Sequence, residues 1–256
     1  MVRLANRRIQ PLCHLSAARP EIFLEYIDKA VAEGIPVICV DADVPRSKRV
    51  LYIGTDNFKA GRESLKQMAA LVPRGSIAVI TISGQHNLDD RVAGVVDALA
   101  NFPALKLTKI LDDGGDARSA FDQVSGLLQK KESVDGIICL EASGGSGAAD
   151  AVHRFNLDGK LPIVAFDDDP QTLDWIDRGG IAATIAQKPY VMSYYGLKFL
   201  DDLHHNAVHQ FIDWHTAPAA PIPTSVDTGT VIVDKSNIKV YRLALGARPQ
   251  GGEQPR

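Results

Sequence analysis

The chain has 256 residues, enough for one large domain or two small ones with a buried core. Hydrophobic residues make up 45% and charged residues 23%, the balance of an ordinary globular protein. A net charge of −3 offers no basic field for nucleic acid or anionic membrane, and no apolar run reaches the ~18 residues of a membrane span.

Residues 1–10 carry Arg3, Arg7 and Arg8 but no apolar stretch of the length a signal peptide needs. A helical pattern over 23–33 is closed by Gly34, with Pro36 just beyond. The runs 35–41 and 50–56 read as strands, and 58–72 as a helix ended by Pro73 and Gly75. A strand over 76–82 precedes a helix over 88–100, whose Leu88, Val92, Val95, Val96 and Leu99 share one face. Strand 106–111 and helix 116–131 repeat the unit, followed by strand 134–141, helix 146–155, strand 162–168, helix 170–177, strand 181–187 and helix 190–203. Three prolines within 216–225 favour an extended connector, a last strand follows over 229–233, and the polar tail 247–256 is expected to be irregular. Strands rich in Val and Ile with little alternation, each followed by a helix, predict parallel sheets covered by helices on both faces.

Ligands of open α/β sheets gather at the carboxyl ends of strands. Those ends supply Asp41 and Asp43, then Thr55, Asp56 and Asn57, then Ser83, Gly84 and Gln85 with Arg91 a short loop beyond. Further along they supply Glu141, Ser143 and Gly144, then Asp167 and Asp168, then Gln187. Any one of these reads equally well as a helix cap or turn former. Together they are planar groups that make paired hydrogen bonds, which suits vicinal hydroxyls. No Gly-x-Ser-x-Gly elbow is present, and none of the seven histidines sits at a strand's carboxyl end. Cys13, Cys39 and Cys139 form no Cys-x-x-Cys pair, and the last two read as small buried side chains.

Other features have plainer readings than a cofactor or metal site. Gly144-Gly145-Ser146-Gly147 reads as a tight strand-to-helix turn, since neither dinucleotide-binding nor P-loop spacing is present. Asp167-Asp168-Asp169 is an awkward metal set, and Asp169 with Pro170 reads as a helix cap and first helical residue. His204, His205 and His209 fall at a helix end, where imidazolium suits the dipole. No cofactor is expected.

The stretches Gly34-Ile35-Pro36-Val37-Ile38-Cys39-Val40-Asp41 and Tyr52-Ile53-Gly54-Thr55-Asp56-Asn57-Phe58-Lys59-Ala60-Gly61 resemble the ribose-type periplasmic sugar-binding proteins of ABC importers, the type I periplasmic binding protein family. Arg91-Val92-Ala93-Gly94, Val164-Ala165-Phe166-Asp167 and Ala183-Thr184-Ile185-Ala186-Gln187 continue the likeness, and Val226-Asp227-Thr228-Gly229 with Val231-Ile232-Val233 resembles the family's last strand. The resemblance runs from about Ser16 to Tyr241.

It implies an α/β protein of two Rossmann-like lobes joined by three hinge crossovers, closing on a ligand in the cleft. The N-terminal lobe is expected over 16–56 plus 188–225 and the C-terminal lobe over 57–187 plus 226–242, with irregular termini at 1–15 and 247–256. By residue matching, the ligand contacts would be Asp41, Thr55, Arg91, Glu141, Asp167 and Gln187. Glu141 stands where many members carry Asn, which removes a donor, adds a charge and admits an amino-bearing ligand. The first lobe is expected to be incomplete, because two β-α units of the family precede the segment resembling 18–33. A truncated reading frame with an unpaired sheet edge follows as an expectation.

The implied function is capture of a small sugar, without catalysis, for the membrane subunits of an ABC importer, with no nucleic-acid partner. The implied location is the periplasm or cell envelope, although this chain shows no signal peptide. Two alternatives stay open. One is the effector-sensing core of a sugar-responsive transcription regulator, which would need a DNA-binding head. The other is an α/β carbohydrate enzyme, for which Lys188 is the nearest lysine to a strand end.

Overall fold

The computed structural model describes residues 20–205, 211, 213–217, 220 and 222–246. The arginine-bearing segment 1–15 with Cys13, His209, part of the proline-rich connector and the tail 247–256 lie outside the described residues. The chain divides into two compact units. Unit 1 is Met1–Glu63, Ile82–Ala100 and Gln187–Thr230; unit 2 is Ser64–Thr81, Asn101–Ala186 and Val231–Arg256.

Unit 1 is built on a parallel three-stranded sheet of β1 (Ile38–Val40), β2 (Leu51–Gly54) and β8 (Ser225–Asp227), in the order β1-β2-β8. Among the described residues β1 therefore has a strand partner on one side only. Side chains alternate across it as strand geometry requires. Val37, Cys39 and Tyr52 pack with Ile27 of helix α1 (Glu21–Ala32). Ile38, Leu51 and Ile53 pack with Leu200 of α7 (Pro189–His205). α1 ends as the sequence predicts, with Gly34 at φ 80° donating its N–H to Val31. Helix α2 (Asn57–Leu71) begins in unit 1 and lies against α3 (His86–Ala98).

Unit 2 carries six strands in the order β4-β3-β5-β6-β7-β9. These are β3 (Gly75–Thr81), β4 (Leu105–Asp112), β5 (Gly136–Cys139), β6 (Ile163–Phe166), β7 (Ala183–Ala186) and β9 (Val231–Asp234). Strands β5, β6 and β7 are buried along their whole length, as expected for strands covered on both faces. Helices α4 (Ala117–Gln129), α5 (Ala142–Arg154) and α6 (Pro170–Arg178) connect them. Asp116 caps α4 by accepting the Ser119 N–H, and Asp169 and Pro170 open α6 as expected, although the Asp169 side chain makes no capping bond.

The structure corrects four local readings. The connector ends in a strand, β8, because Ser225–Asp227 finds the free edge of β2. The strand after it, β9, pairs antiparallel with β7, so the sheet of unit 2 is mixed rather than all parallel. A closing helix, α8 (Ile238–Gly246), was not expected; its Ile238 is buried in the core of unit 2. Gly144, Gly145 and Gly147 do not form a turn: they are helical, in the first turns of α5. A side chain at 147 would strike the Ala117 carbonyl, and one at 145 would press on Ala165 and Thr172, so these small residues let α5 lie close to α4 and β6.

Candidate functional site

The sequence-predicted polar residues divide between the units. Asp41, Thr55, Arg91 and Gln187 belong to unit 1; Glu141 and Asp167 belong to unit 2.

In unit 1, Asp41 follows β1 directly and has left-handed backbone, φ 69°. Its N–H donates to the Ile53 carbonyl at 3.0 Å, extending the β1–β2 ladder by one bond. Its carboxylate makes no hydrogen bond or ion pair among the described residues, and the residue is half-buried. Thr55 is buried just past β2, and its Oγ1 donates to Gln187 Oε1 at 2.8 Å, so these two predicted contacts meet directly. Arg91 is buried on α3 and its Nε donates to Asn57 Oδ1 at 2.9 Å. Asp43 holds Arg49 in a two-pronged ion pair, and Arg49 Nη1 also reaches the Thr224 carbonyl. Thr55 and Asn57, with Tyr52, Asp56, His86 and Asp90 among their neighbours, line a cavity of about 270 Å³. Four aspartates, Asp43, Asp56, Asp90 and Asp227, stand in its walls beside the rings of Tyr52 and Phe58.

In unit 2, Asp167 repeats the placement of Asp41. It follows β6 directly, has φ 65°, and its N–H donates to the Ile185 carbonyl at 2.9 Å. Glu141 sits past β5 and caps α5, its two oxygens accepting the N–H groups of Ser143 (2.7 Å) and Gly144. Sequence reasoning missed its neighbour. Asp113, past the end of β4, is only 3% exposed, and Glu141 only 7%. Asp113 Oδ1 accepts the Gly115 N–H at 3.0 Å, while Oδ2 has no hydrogen-bond partner among the described residues. A Cβ at Gly144 would lie 2.6 Å from Glu141 Oε1 and 3.3 Å from Asp113 Oδ2, so both carboxyls converge on that glycine.

Two buried carboxyls this close cannot both ionise freely. The Glu141 carboxyl is pushed up to about 7, by burial first and by the Asp113 charge second. Asp113 is raised as well, chiefly by burial. Behind them the Cys139 thiol is raised by burial and then by the two carboxyls, which makes it inert at neutral pH. The signal for Asp113 is in the sequence: Asp112-Asp113-Gly114-Gly115 stands at the carboxyl end of β4, the same kind of position as Asp41 and Asp167. Among the described residues no group of three or more His, Cys, Asp or Glu side chains is arranged to hold a metal.

Comparison with known proteins bears on the family and the fold. A family model described as periplasmic binding protein domain matches residues 14–206. The crystal structure of a sugar ABC transporter sugar-binding protein from Bacillus halodurans is 37% identical, with a TM-score of 0.79, covering 88% of this chain and 78% of that one. AraP, an arabinose binding protein from Geobacillus stearothermophilus, is 34% identical with a TM-score of 0.75, covering 88% and 77%. The D-allose-binding periplasmic protein of Escherichia coli (strain K12) is 25% identical over 59% of this chain and 50% of its own. The chain spans 50–58% of the length of the curated relatives it matches. With a family model matched over most of the sequence and solved relatives above 30% identity, the chain belongs to the periplasmic binding protein family.

Proposed function

We propose that this protein is a solute-binding protein that captures a small sugar, without catalysing a reaction on it, for the membrane subunits of an ABC-type importer. The observation that carries the reading is the matched pair of aspartates, Asp41 and Asp167, each held past a strand end by the same ladder bond. Carboxylates at the carboxyl ends of parallel strands suit the vicinal hydroxyls of a sugar ring. Arg91 and the linked Thr55 and Gln187 supply donors and acceptors of the right kind, and Glu141 contributes in the protonation state that its burial and then the Asp113 charge set. Solved relatives support a pentose or related monosaccharide: one is an arabinose binding protein, and a solute binding protein from Burkholderia graminis is solved in complex with D-arabinose. The same relationships support a place in the periplasm or cell envelope.

The test is the melting temperature of the full chain with D-arabinose, D-xylose, D-ribose, D-allose and D-glucosamine. A ligand at ~100 times its Kd adds about 2.7 kcal/mol, a rise of several degrees for a chain of this size. The rise should appear with one or two of these sugars and vanish in Asp41→Ala, Arg91→Ala and Asp167→Ala. No rise with any sugar, confirmed by calorimetric titration, would overturn the reading. A rise confined to D-glucosamine would assign the buried carboxyls to an amino group.

A further inference from the structure

The backbone at both aspartates is fixed by a second bond that uses different chemistry in each unit. In the β1–β2 pair Val40 lies opposite Ile53, and in the β6–β7 pair Phe166 lies opposite Ile185. Asp41 and Asp167 are thus one residue beyond equivalent register positions. The residue before each facing isoleucine is Tyr52 in unit 1 and Thr184 in unit 2, both buried. The Thr184 hydroxyl donates to the Asp167 carbonyl at 2.7 Å. The Tyr52 hydroxyl lies 3.0 Å from the Asp41 carbonyl and 3.1 Å from that of Thr55, and donates to this pair of acceptors.

The residue two further along explains how a tyrosine and a threonine can do the same work. Positions i and i+2 of a strand share a face. In unit 1 position i+2 is Gly54, and a Cβ there would collide with the Tyr52 hydroxyl and ring. In unit 2 it is Ala186, because the short Thr184 side chain needs no such room. Tyrosine with glycine and threonine with alanine are therefore two solutions to one task. A non-glycine residue at positive φ carries a steric cost, and it persists where the surroundings hold it. Here one neighbouring-strand carbonyl takes the aspartate's N–H and one side-chain hydroxyl takes its carbonyl.

We propose that Tyr52 and Thr184 are positioning residues for ligand capture, each locking the left-handed turn that aims the aspartate of its own unit. This rests on the sugar-binding reading of Asp41 and Asp167. The hydroxyls need touch no ligand; they act through the aspartates.

The experiment uses the full chain with Thr184→Val, Thr184→Ser, Tyr52→Phe and Gly54→Ala. It measures affinity by calorimetry for whichever of the five sugars above binds most tightly. It also measures amide hydrogen exchange at Asp41 and Asp167 without sugar. Thr184→Val and Tyr52→Phe should each weaken binding about tenfold, the loss of one buried hydrogen bond, and speed exchange at their own aspartate. Thr184→Ser should restore both readouts, and Gly54→Ala should mimic Tyr52→Phe. In an Asp167→Asn background, in which the weakened binding is still titratable, Thr184→Val should weaken binding no further. A penalty that persists there, or unchanged exchange at Asp167 in Thr184→Val, would overturn the proposal. If Asp41→Ala and Asp167→Ala themselves leave affinity unchanged, or no sugar binds, the sugar-binding reading has failed. Exchange alone then decides the lock: faster in the valine variant and restored in the serine variant supports it, and unchanged exchange refutes it.

Discussion

Gly61→Ala and Gly94→Ala should each lower the melting temperature of the protein by about 5–15 °C, the equivalent of roughly 2–4 kcal/mol. The two glycines sit at a reciprocal contact between α2 and α3. A Cβ at 61 would fall on the carbonyl of Arg91, and a Cβ at 94 on the carbonyl of Phe58. In each case the obstacle is backbone, which cannot swing aside as a side-chain tip can, so the helices must part. Arg91 is itself at the crossing, and its Nε bond to Asn57 spans the same two helices. Sugar binding should therefore weaken together with stability. Gly126→Ala is the control. That glycine is also within a helix, α4, but has open space around it, so alanine there should raise stability by about 0.5–1 kcal/mol. Thermal melts of the three variants decide the matter: a Gly61→Ala protein that melts like Gly126→Ala would show that the helices do not touch as described.

Replacing Asp113 by asparagine should stabilise the protein at pH 8 and leave it almost unchanged at pH 5. Glu141 has its folded value raised from 4.5 to about 7. A carboxyl raised in this way contributes stability that is fully present below about 4.5 and is lost as pH rises through about 7. The whole shift corresponds to roughly 3 kcal/mol, of which burial is the larger cause and the Asp113 charge the next. Asparagine removes that charge and keeps an oxygen for the Gly115 N–H. The expected gain at pH 8 is about 1–2 kcal/mol, a rise of roughly 2–8 °C. The difference between variant and parent, followed from pH 5 to pH 8, isolates this pair from the other carboxyls. A constant difference, or a lower melting temperature at pH 8, would mean that the Asp113 charge does not raise the Glu141 carboxyl.

The alternation of Val- and Ile-rich runs with amphipathic segments was enough to establish the α/β class, the helices α1 to α7 and most strands, because periodicity and buried runs are local properties of the chain. The same local signals placed Asp41, Thr55, Asp167 and Gln187 at strand ends, and their order carried the family resemblance. The sequence did not reveal β8 or the antiparallel entry of β9, since strand direction and pairing depend on which edge is open when a distant segment arrives. It did not reveal that Gly144–Gly147 continues a helix, which required knowing that α4 presses on α5 at Ala117. Nor could it show that Asp113, 28 positions before Glu141, shares its burial, or that Tyr52 and Thr184 each reach back across a neighbouring strand to an aspartate carbonyl. Residue type and spacing determined which groups could meet a ligand; through-space burial and hydrogen bonding between residues far apart in the chain decided how those groups are charged and aimed.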